Sequence, residues 1–296
     1  MLFRSSRLFQ DNQIFISSVF RGELEKYTVE DEQGEVDVYL LPFVKASQVR
    51  HYFPDAKIDS YDDAVRVIIE HAHLDRQKRN VIVAHQFVAG RSEDPVLAGS
   101  ESIGTQSVGL VEKISYDCFD PFDYVALGHI HSPQHVGRET VRYCGTPLKY
   151  SFSEAGQEKS VTVVELKEKG DVSISTIPLR PLRDLRKIKG TYLEVTSRDF
   201  YAQTNTSDYL QITLTDEEDI LDGLQKLRII YPNLMQLEYD NQRTRENQEI
   251  LQVQAMEEKS ELELFEEFYQ LQNNQPMSEE QKEFTSRLIQ KLKEEG

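Results

Sequence analysis

Short apolar runs alternate with helical and loop-like stretches through the first half of the chain. The runs lie at Gln13–Phe20, Val36–Phe43, Val81–Ala84 and Tyr124–Leu127. Between the second and third runs, residues 60–74 carry apolar side chains at helical spacing behind Ser60, a plausible helix cap. This order of strand, helix, strand, loop and strand predicts an α/β layered fold.

Three later apolar runs predict further strands. They lie at Val141–Tyr143, Val161–Leu166 and Val172–Ile177, and their spacing indicates antiparallel strands that complete a sandwich. We therefore expect a first domain over residues 1–180. The prolines and glycine that follow, Pro178, Pro181 and Gly190, enclose a basic patch and mark a boundary. The basic side chains of this patch are Arg180, Arg183, Arg186, Lys187 and Lys189.

Residues 190–245 predict a small α+β module. Tyr192–Val195, Tyr209–Leu214 and Leu234–Tyr239 are strand-like runs. Thr215 and Glu218 have the spacing of a capping box, which predicts that a helix begins there and ends at the following Tyr-Pro-Asn sequence.

The segment 255–296 predicts a helical hairpin. Two capping-box patterns each open a helix, Ser260 with Glu263 and Ser278 with Gln281. Apolar side chains recur on one side of each helix, and a partner protein or the rest of the chain can bury that face. The positions expected to bind a partner are Leu264, Phe265, Phe268, Phe284 and Leu288.

Charge and composition narrow the function classes. With 34 basic and 51 acidic residues, the net charge is −17. Proteins that bind nucleic acid unaided usually carry a basic footprint, so this charge disfavours a free-standing DNA binder. The charge is compatible with an enzyme that uses bound metal cations, or with an enzyme whose partner protein binds the DNA. The sequence shows no membrane span or signal peptide, so a cytoplasmic location is the default expectation.

The sharpest chemical signal is the sequence Gly128-His129-Ile130-His131 directly after an apolar run. In an extended segment the two histidines project to the same side. His85 follows the run Val81–Ala84 in the same manner. Because ligands bind at the carboxyl ends of strands in open α/β sheets, these imidazoles predict a metal site formed by His85, His129 and His131.

Three imidazoles alone do not form a two-metal phosphoesterase centre. Such a centre also needs a bridging carboxylate and further oxygen ligands. The sequence contains no Asp-x-His pair and no Gly-Asn-His-Asp run, and neither a phosphate-binding glycine loop nor a Ser/His/Asp motif is present. No catalytic residue is therefore assigned with certainty.

The segment DYVALGHIHSPQ, residues 123–134, with RYCGTPLKYSFSEAGQEKS, residues 142–160, closely resembles the SbcD family of metallophosphoesterases. Four further segments resemble other parts of the same family, in the same order. They are VIVAHQFVAG, IPLRPLRDLRKIKG, LQKLRIIYPN and KSELELFEEFYQLQNNQPMSEEQ. The resemblance covers nearly the whole chain.

This resemblance implies a four-layer α/β (α+β) metallophosphoesterase sandwich, incomplete here, with a capping domain at 190–245 and a C-terminal hairpin at 255–296. It also implies a nuclease that uses two Mn²⁺ ions, with 3′→5′ exonuclease, single-strand endonuclease and hairpin-cleaving activity in DNA recombination, replication and repair. By carry-over, His85 and His129 bind one metal and His131 the other.

The implied partner is SbcC, a coiled-coil ATPase, in a heterotetramer of two SbcC and two SbcD subunits. The hairpin is expected to bind the base of the SbcC coiled coil. DNA is expected to be contacted through the complex, with the basic patch as a weak candidate contact. No membrane association is implied.

One departure from the family pattern bears on activity. The segment SRLFQDNQIFISS, which starts at Ser6, resembles a segment of the family. In the family, that segment follows the Asp-x-His, Gly-Asp and Gly-Asn-His-Asp motifs. We therefore expect the chain to begin past these motifs, to lack the general-acid histidine and to be inactive or nearly so. The alternatives are a non-catalytic fragment that binds SbcC and, less favoured, a phosphoesterase acting on small molecules or proteins.

Overall fold

The structure is a computed structural model that describes residues 14–90, 94–98, 113–242, 244–245, 262, 265–266, 269 and 277–295. It is a mixed α and β structure, as predicted. The chain divides into two compact units, residues 1–187 with 207–211, and residues 188–206 with 212–296. The three domain ranges given above remain predictions. Within the described residues, none of the helices combines the length and apolar character needed to cross a bilayer.

A six-stranded sheet forms the centre of the first unit. Its strands are β1 (Glu25–Asp31), β2 (Gly34–Leu41), β3 (Arg79–His85), β6 (Tyr124–Gly128), β8 (Arg138–Tyr143) and β7 (Gln134–Val136), in that spatial order. The four middle strands β2, β3, β6 and β8 are parallel to one another. The outer strands β1 and β7 pair antiparallel.

The core lies on one face of this sheet because side chains alternate along each strand. Ile82 and Ala84 of β3 are buried, whereas Val83 and His85 between and after them are exposed. In the parallel register Ile82 lies beside Val125, and His85 beside Gly128. The strand pattern therefore places His85 on the opposite face from the core, at the carboxyl end of β3.

Two helices cover the core face, α1 (Ala46–Tyr52) and α2 (Tyr61–Glu70). Helix α2 begins where the sequence predicted, because the Ser60 side chain accepts a hydrogen bond from the Asp63 backbone N–H and the Asp63 carboxylate accepts from the Ser60 N–H. It ends at Glu70, before the predicted position 74. Its buried side chains are Ala64, Val65, Ile68 and Ile69.

Shorter elements complete the first unit. They are the parallel pair β4 (Val88–Ala89) and β5 (Ile114–Ser115), the antiparallel pair β9 (Ser160–Leu166) and β10 (Val172–Pro178), and two 3₁₀ turns at Tyr116–Phe119 and Phe152–Glu154. The antiparallel β9–β10 pair confirms that part of the sequence prediction.

Two predictions about strands in the first unit need correction. Val141–Tyr143 is a strand, as predicted, but it belongs to β8 of the central sheet, where it pairs parallel with β6 and antiparallel with β7, and it does not extend the β9–β10 pair. So short a run fits several partners, and its pairing is decided only when the chain folds. Of the run predicted at Gln13–Phe20, the described residues 14–20 form no strand, and Phe15 packs on Tyr27 with ring centroids 3.8 Å apart.

A three-stranded sheet has the order β11 (Leu185–Gly190), β12 (Tyr209–Leu214) and β13 (Leu234–Tyr239). The predicted strand at Tyr192–Val195 is instead a helical turn, α3 (Tyr192–Thr196), followed by α4 (Arg198–Tyr201). The reason is a capping box, because the Thr191 hydroxyl accepts from the Glu194 N–H and the Glu194 carboxylate accepts from the Thr191 N–H.

The predicted helix start at Thr215 was also wrong. Helix α5 covers only Gly223–Arg228, and Asp222 before it has a positive φ of 56°. The Asp216 carboxylate accepts a hydrogen bond from the Tyr192 N–H. Residues 215–222 therefore form an irregular segment, and the Asp216 side chain in it hydrogen-bonds to the start of α3.

The last helix, α6 (Glu279–Glu295), begins as predicted. The Ser278 N–H donates to the Gln281 side chain at 2.8 Å and the Gln281 N–H donates to the Ser278 hydroxyl at 3.3 Å. The other predicted cap, Ser260 with Glu263, lies outside the described residues.

Candidate metal centre

His85 and His129 meet at the carboxyl ends of two neighbouring parallel strands. His85 ends β3, and its register partner in β6 is Gly128, the residue before His129. The two imidazole rings lie edge to face, with centroids 5.4 Å apart and planes at 81°. The sequence prediction that two separate turns bring these histidines together is consistent with this geometry.

The backbone of His129 is unusual. Its φ is 98°, in the region that favours glycine, and such conformations cost about 1–3 kcal/mol and survive only where the surroundings enforce them. Ile130 next to it is buried in the core. The sharp turn after β6 therefore anchors Ile130 while holding the His129 ring beside His85.

Gly128 makes the approach of the two rings possible. A Cβ at this position would lie 2.8 Å from Nδ1 of His85. The His85 ring thus covers the place where any other residue would carry its side chain. The glycine of the motif is required for space at this edge of the sheet.

Replacing Gly128 by alanine should push the His85 ring away from His129 and weaken Mn²⁺ binding by roughly 10–100-fold, the range seen when the support of a metal ligand is disturbed. The measurement is isothermal titration of the purified chain with MnCl₂. Gly156→Ala is the matched control, because no atom lies within 4 Å of the Cβ it would add. Equal affinities in the two variants would contradict the proposed role of Gly128.

His131 is held by a different set of neighbours. Its Nδ1 lies 3.0 Å from Oε1 of Glu154, a carboxylate with no exposed surface. The Lys159 ammonium donates to the other carboxylate oxygen of Glu154 at 2.7 Å and to the His131 carbonyl oxygen at 3.1 Å. Both the ring and the backbone of His131 are therefore fixed.

The protonation of His85 suits a metal ligand. Desolvation of the ring lowers the pKa of His85 from its ordinary value, although more than a third of the side chain remains exposed. Imidazole binds metals only in its neutral form, and a lowered pKa keeps His85 neutral at physiological pH.

These residues fit the nitrogen half of a metal centre. Imidazole donors suit iron or zinc, whereas manganese prefers a site that also supplies oxygen donors, and a carboxylate behind a histidine is the usual support of a metal-binding ring. Within the described part of the chain, however, no group of three or more His, Cys, Asp or Glu side chains is arranged to hold a metal ion. The metal site of His85, His129 and His131 remains a prediction.

A cavity of about 670 Å³ opens beside His85 and Gly128, on the sheet face opposite the core. Its walls are mainly apolar, with Phe15, Leu40, Val83 and Ala126 among them. His85 is therefore a polar side chain in the wall of an otherwise mainly apolar cavity.

Sequence reasoning missed the residues that support the site. Tyr143 is buried, and its hydroxyl donates to the Gln86 carbonyl at 2.9 Å and accepts from the Val88 N–H at 2.6 Å, which fixes the loop after His85. Burial raises the pKa of Tyr143, which therefore stays protonated. Glu154 and Lys159 were equally missed. Their only signal was their place in the segment SFSEAGQEKS.

The predicted basic patch is only partly available for DNA. Arg186 pairs with Asp208 at 2.7 Å and Lys189 with Asp240 at 2.5 Å. Arg180, Arg183 and Lys187 are exposed. The DNA-binding role of the patch remains a prediction, and it is stronger for these three residues than for the two paired ones.

Three of the five predicted partner-binding residues are described, and all are exposed. The exposed fractions are 43% for Phe265, 64% for Phe284 and 49% for Leu288. Leu264 and Phe268 lie outside the described residues. Phe284 and Leu288 are four residues apart on α6, so they share one face of that helix.

A known protein family and a known relative resemble this chain. A model of the SbcD C-terminal domain, described as "Type 5 capsule protein repressor C-terminal domain", matches residues 181–273. The nuclease SbcD of the SbcCD complex of Staphylococcus epidermidis is 29% identical over 289 residues, which covers 96% of this chain and 73% of the relative. Both likenesses point to one family, the SbcD nuclease subunits.

Proposed function

We propose that this chain is the nuclease subunit of an SbcC-containing complex that processes DNA ends and hairpins in recombination, replication and repair. The proposed reaction is metal-dependent hydrolysis of phosphodiester bonds, as a 3′→5′ exonuclease on double strands and an endonuclease on single strands. The first unit would be part of a four-layer metallophosphoesterase sandwich, and the complex would work in the cytoplasm.

The observation that carries this proposal is the contact between His85 and His129 at the carboxyl ends of β3 and β6. We propose that they bind one Mn²⁺ ion and that His131 binds a second. Two such cations, when bound, polarise the phosphate and neutralise the charge that develops on it. The role of the chain is to hold the three imidazoles at one edge of the sheet.

We further propose that the 296-residue polypeptide is a slow nuclease by itself. Two cations need carboxylate and other oxygen ligands in addition to imidazoles. Within the described residues no group of three or more His, Cys, Asp or Glu side chains is arranged to hold a metal ion, and the Glu154 carboxylate beside His131 is paired with Lys159. A chain whose metals are held by imidazoles alone should bind Mn²⁺ weakly and turn over slowly.

The test is cleavage of a labelled hairpin and a blunt duplex by the chain mixed with SbcC, ATP and MnCl₂. We expect slow cleavage that EDTA abolishes and that falls by about 100-fold or more in His129→Ala. His51→Ala is the control, since His51 is an exposed histidine at the end of α1. Cleavage that survives EDTA or His129→Ala would contradict the metal-dependent reaction, and rapid turnover by the chain alone would contradict the proposed weakness.

We propose that α6 contributes to the SbcC-binding surface, in a complex of two SbcC and two SbcD subunits. The support is the exposure of Phe284 and Leu288 on one face of that helix. The net charge of this chain is −17, which disfavours DNA binding by the chain alone. We propose that SbcC supplies the basic side chains that contact the DNA phosphates.

Introducing a charge on this face should weaken the complex. We expect Phe284→Glu to reduce the affinity for SbcC by about 30-fold, the effect of losing one well-packed aromatic contact. Ser286→Glu is the matched control, because it adds the same charge at another exposed position of α6. Affinity can be measured by surface plasmon resonance, and equal affinities for both variants would place the SbcC site elsewhere.

A second candidate function is a non-catalytic subunit that binds SbcC without cutting DNA. The exposed apolar face of α6 and the incomplete ligand set favour it. The two candidates differ in the cleavage assay, because a non-catalytic subunit would bind SbcC normally and show no Mn²⁺-dependent cleavage at any concentration.

A further inference from the structure

Glu154 is a buried carboxylate directed at a proposed metal ligand. It ends the 3₁₀ turn Phe152–Glu154 and has no exposed surface. One carboxylate oxygen lies 3.0 Å from Nδ1 of His131. The other accepts from the Lys159 ammonium at 2.7 Å and from the Thr146 hydroxyl at 3.3 Å.

Lys159 completes this cluster from the opposite side. Only 3% of its side chain is exposed. Its ammonium also lies within hydrogen-bond distance of the His131 carbonyl at 3.1 Å, the Thr146 hydroxyl at 2.8 Å and the Gln157 side chain at 2.7 Å, and it shares its three N–H donors among these acceptors and Glu154. The charge of Glu154 is therefore balanced inside the protein, and the cluster holds His131 through both its ring and its backbone.

An ion pair of this kind is a weak source of stability. Removing two charges from water is costly, and apolar side chains of the same size often serve the fold equally well. A purely structural role therefore leaves unexplained why a carboxylate meets the His131 ring. A carboxylate that accepts from one ring nitrogen decides which nitrogen carries the proton, and thus which one can bind a metal.

We propose that Glu154 is a positioning residue for His131. Its carboxylate accepts a hydrogen bond from Nδ1–H, which fixes the neutral tautomer with the lone pair on Nε2 and holds the ring at one angle. Lys159 balances the charge of Glu154 and secures the His131 carbonyl. The inference rests on the proposed function, because it assigns Nε2 of His131 as the atom offered to a divalent cation.

The experiment uses the full 296-residue chain with ¹⁵N-labelled histidine, studied by long-range ¹H–¹⁵N NMR without metal. We expect His131 in the wild type to carry its proton on Nδ1. In Glu154→Gln we expect a mixture of tautomers, together with a roughly 10–100-fold loss of Mn²⁺ affinity measured by broadening of the His131 ring signals. Glu158→Gln is the matched control, since Glu158 is an exposed neighbour of the same chemistry.

A second variant protects the test against misfolding. Glu154→Gln combined with Lys159→Gln removes both charges together, so no unpaired charge is left in the interior, and its fold can be checked by its melting temperature. This double variant should also lose the single His131 tautomer. A His131 proton on Nε2 in the wild type, or an unchanged tautomer in both variants, would overturn the role of Glu154.

The same data separate this inference from the proposed function. If the tautomer responds to Glu154 as expected while MnCl₂ broadens none of the three histidines, the metal site is wrong and the hydrogen-bond role of Glu154 stands. If MnCl₂ broadens His85 and His129 and the tautomer ignores Glu154, the positioning role is wrong and the metal site stands.

Discussion

Replacing Lys159 by methionine should lower the free energy of unfolding by about 3–5 kcal/mol, the cost of leaving a buried charge without its partner. Glu154 has no exposed surface, and the Lys159 ammonium 2.7 Å away balances its charge. Methionine fills a similar volume, so lost packing contributes little. The measurement is urea unfolding of the first unit, followed by circular dichroism at constant pH.

Two further variants serve as controls for the loss of stability in Lys159→Met. Lys57→Met removes an ion pair with Asp59 in which the side chains are 89% and 68% exposed, and such pairs contribute about 0–1 kcal/mol. The double variant Glu154→Gln with Lys159→Met should recover part of the loss, because no charge is then stranded. If Lys159→Met is as stable as Lys57→Met, the charge of Glu154 is neutralised by some other group.

Replacing Gly145 by alanine should destabilise the first unit by about 2–5 kcal/mol and disturb His131. Gly145 has a φ of 72°, where a side chain costs about 1–2 kcal/mol. The added Cβ would also lie 2.7 Å from the His131 carbonyl oxygen and 2.9 Å from Pro133, and overpacking of this kind costs about 1–3 kcal/mol. The same unfolding experiment measures it.

The chain offers a matched control that separates the two costs. Gly170 has a φ of 85°, and its added Cβ would meet no atom within 4 Å. Gly170→Ala should therefore show the backbone cost alone, and the difference between the variants is the cost of the collision with the His131 loop. Equal losses in both would mean that the His131 loop yields freely, which its bond to Lys159 argues against.

Local patterns succeeded where one feature of the sequence dominated. Ser60 and Ser278 each precede a helix as its cap. In each case the Ser hydroxyl accepts a hydrogen bond from the backbone N–H three residues later, and the side chain of that later residue accepts one from the Ser backbone N–H. This arrangement requires only residues that are close in sequence. The runs before His85 and Gly128 became parallel strands, as continuous β-branched and aliphatic runs favour.

Local patterns failed where two structures competed. The run at Tyr192–Val195 satisfies a strand pattern, but the capping box of Thr191 and Glu194 made it a helix. Val141–Tyr143 is a strand, as predicted, but its neighbours are β6 and β7 and not β9 and β10. In both cases the residues alone allow two outcomes that differ little in free energy, and packing against distant segments decides between them.

The sequence by itself determined which residues can bind a metal, since the chemistry of an imidazole belongs to the residue, and it determined that His85 and Gly128-His129 each end an apolar strand. Only the tertiary structure decided that β3 and β6 are neighbours in register, which brings two rings to a centroid distance of 5.4 Å. It also decided that Glu154 and Lys159 lie behind His131. The physical reason is that these contacts join residues 23 to 44 positions apart, whose proximity depends on strand pairing and burial and not on any local pattern.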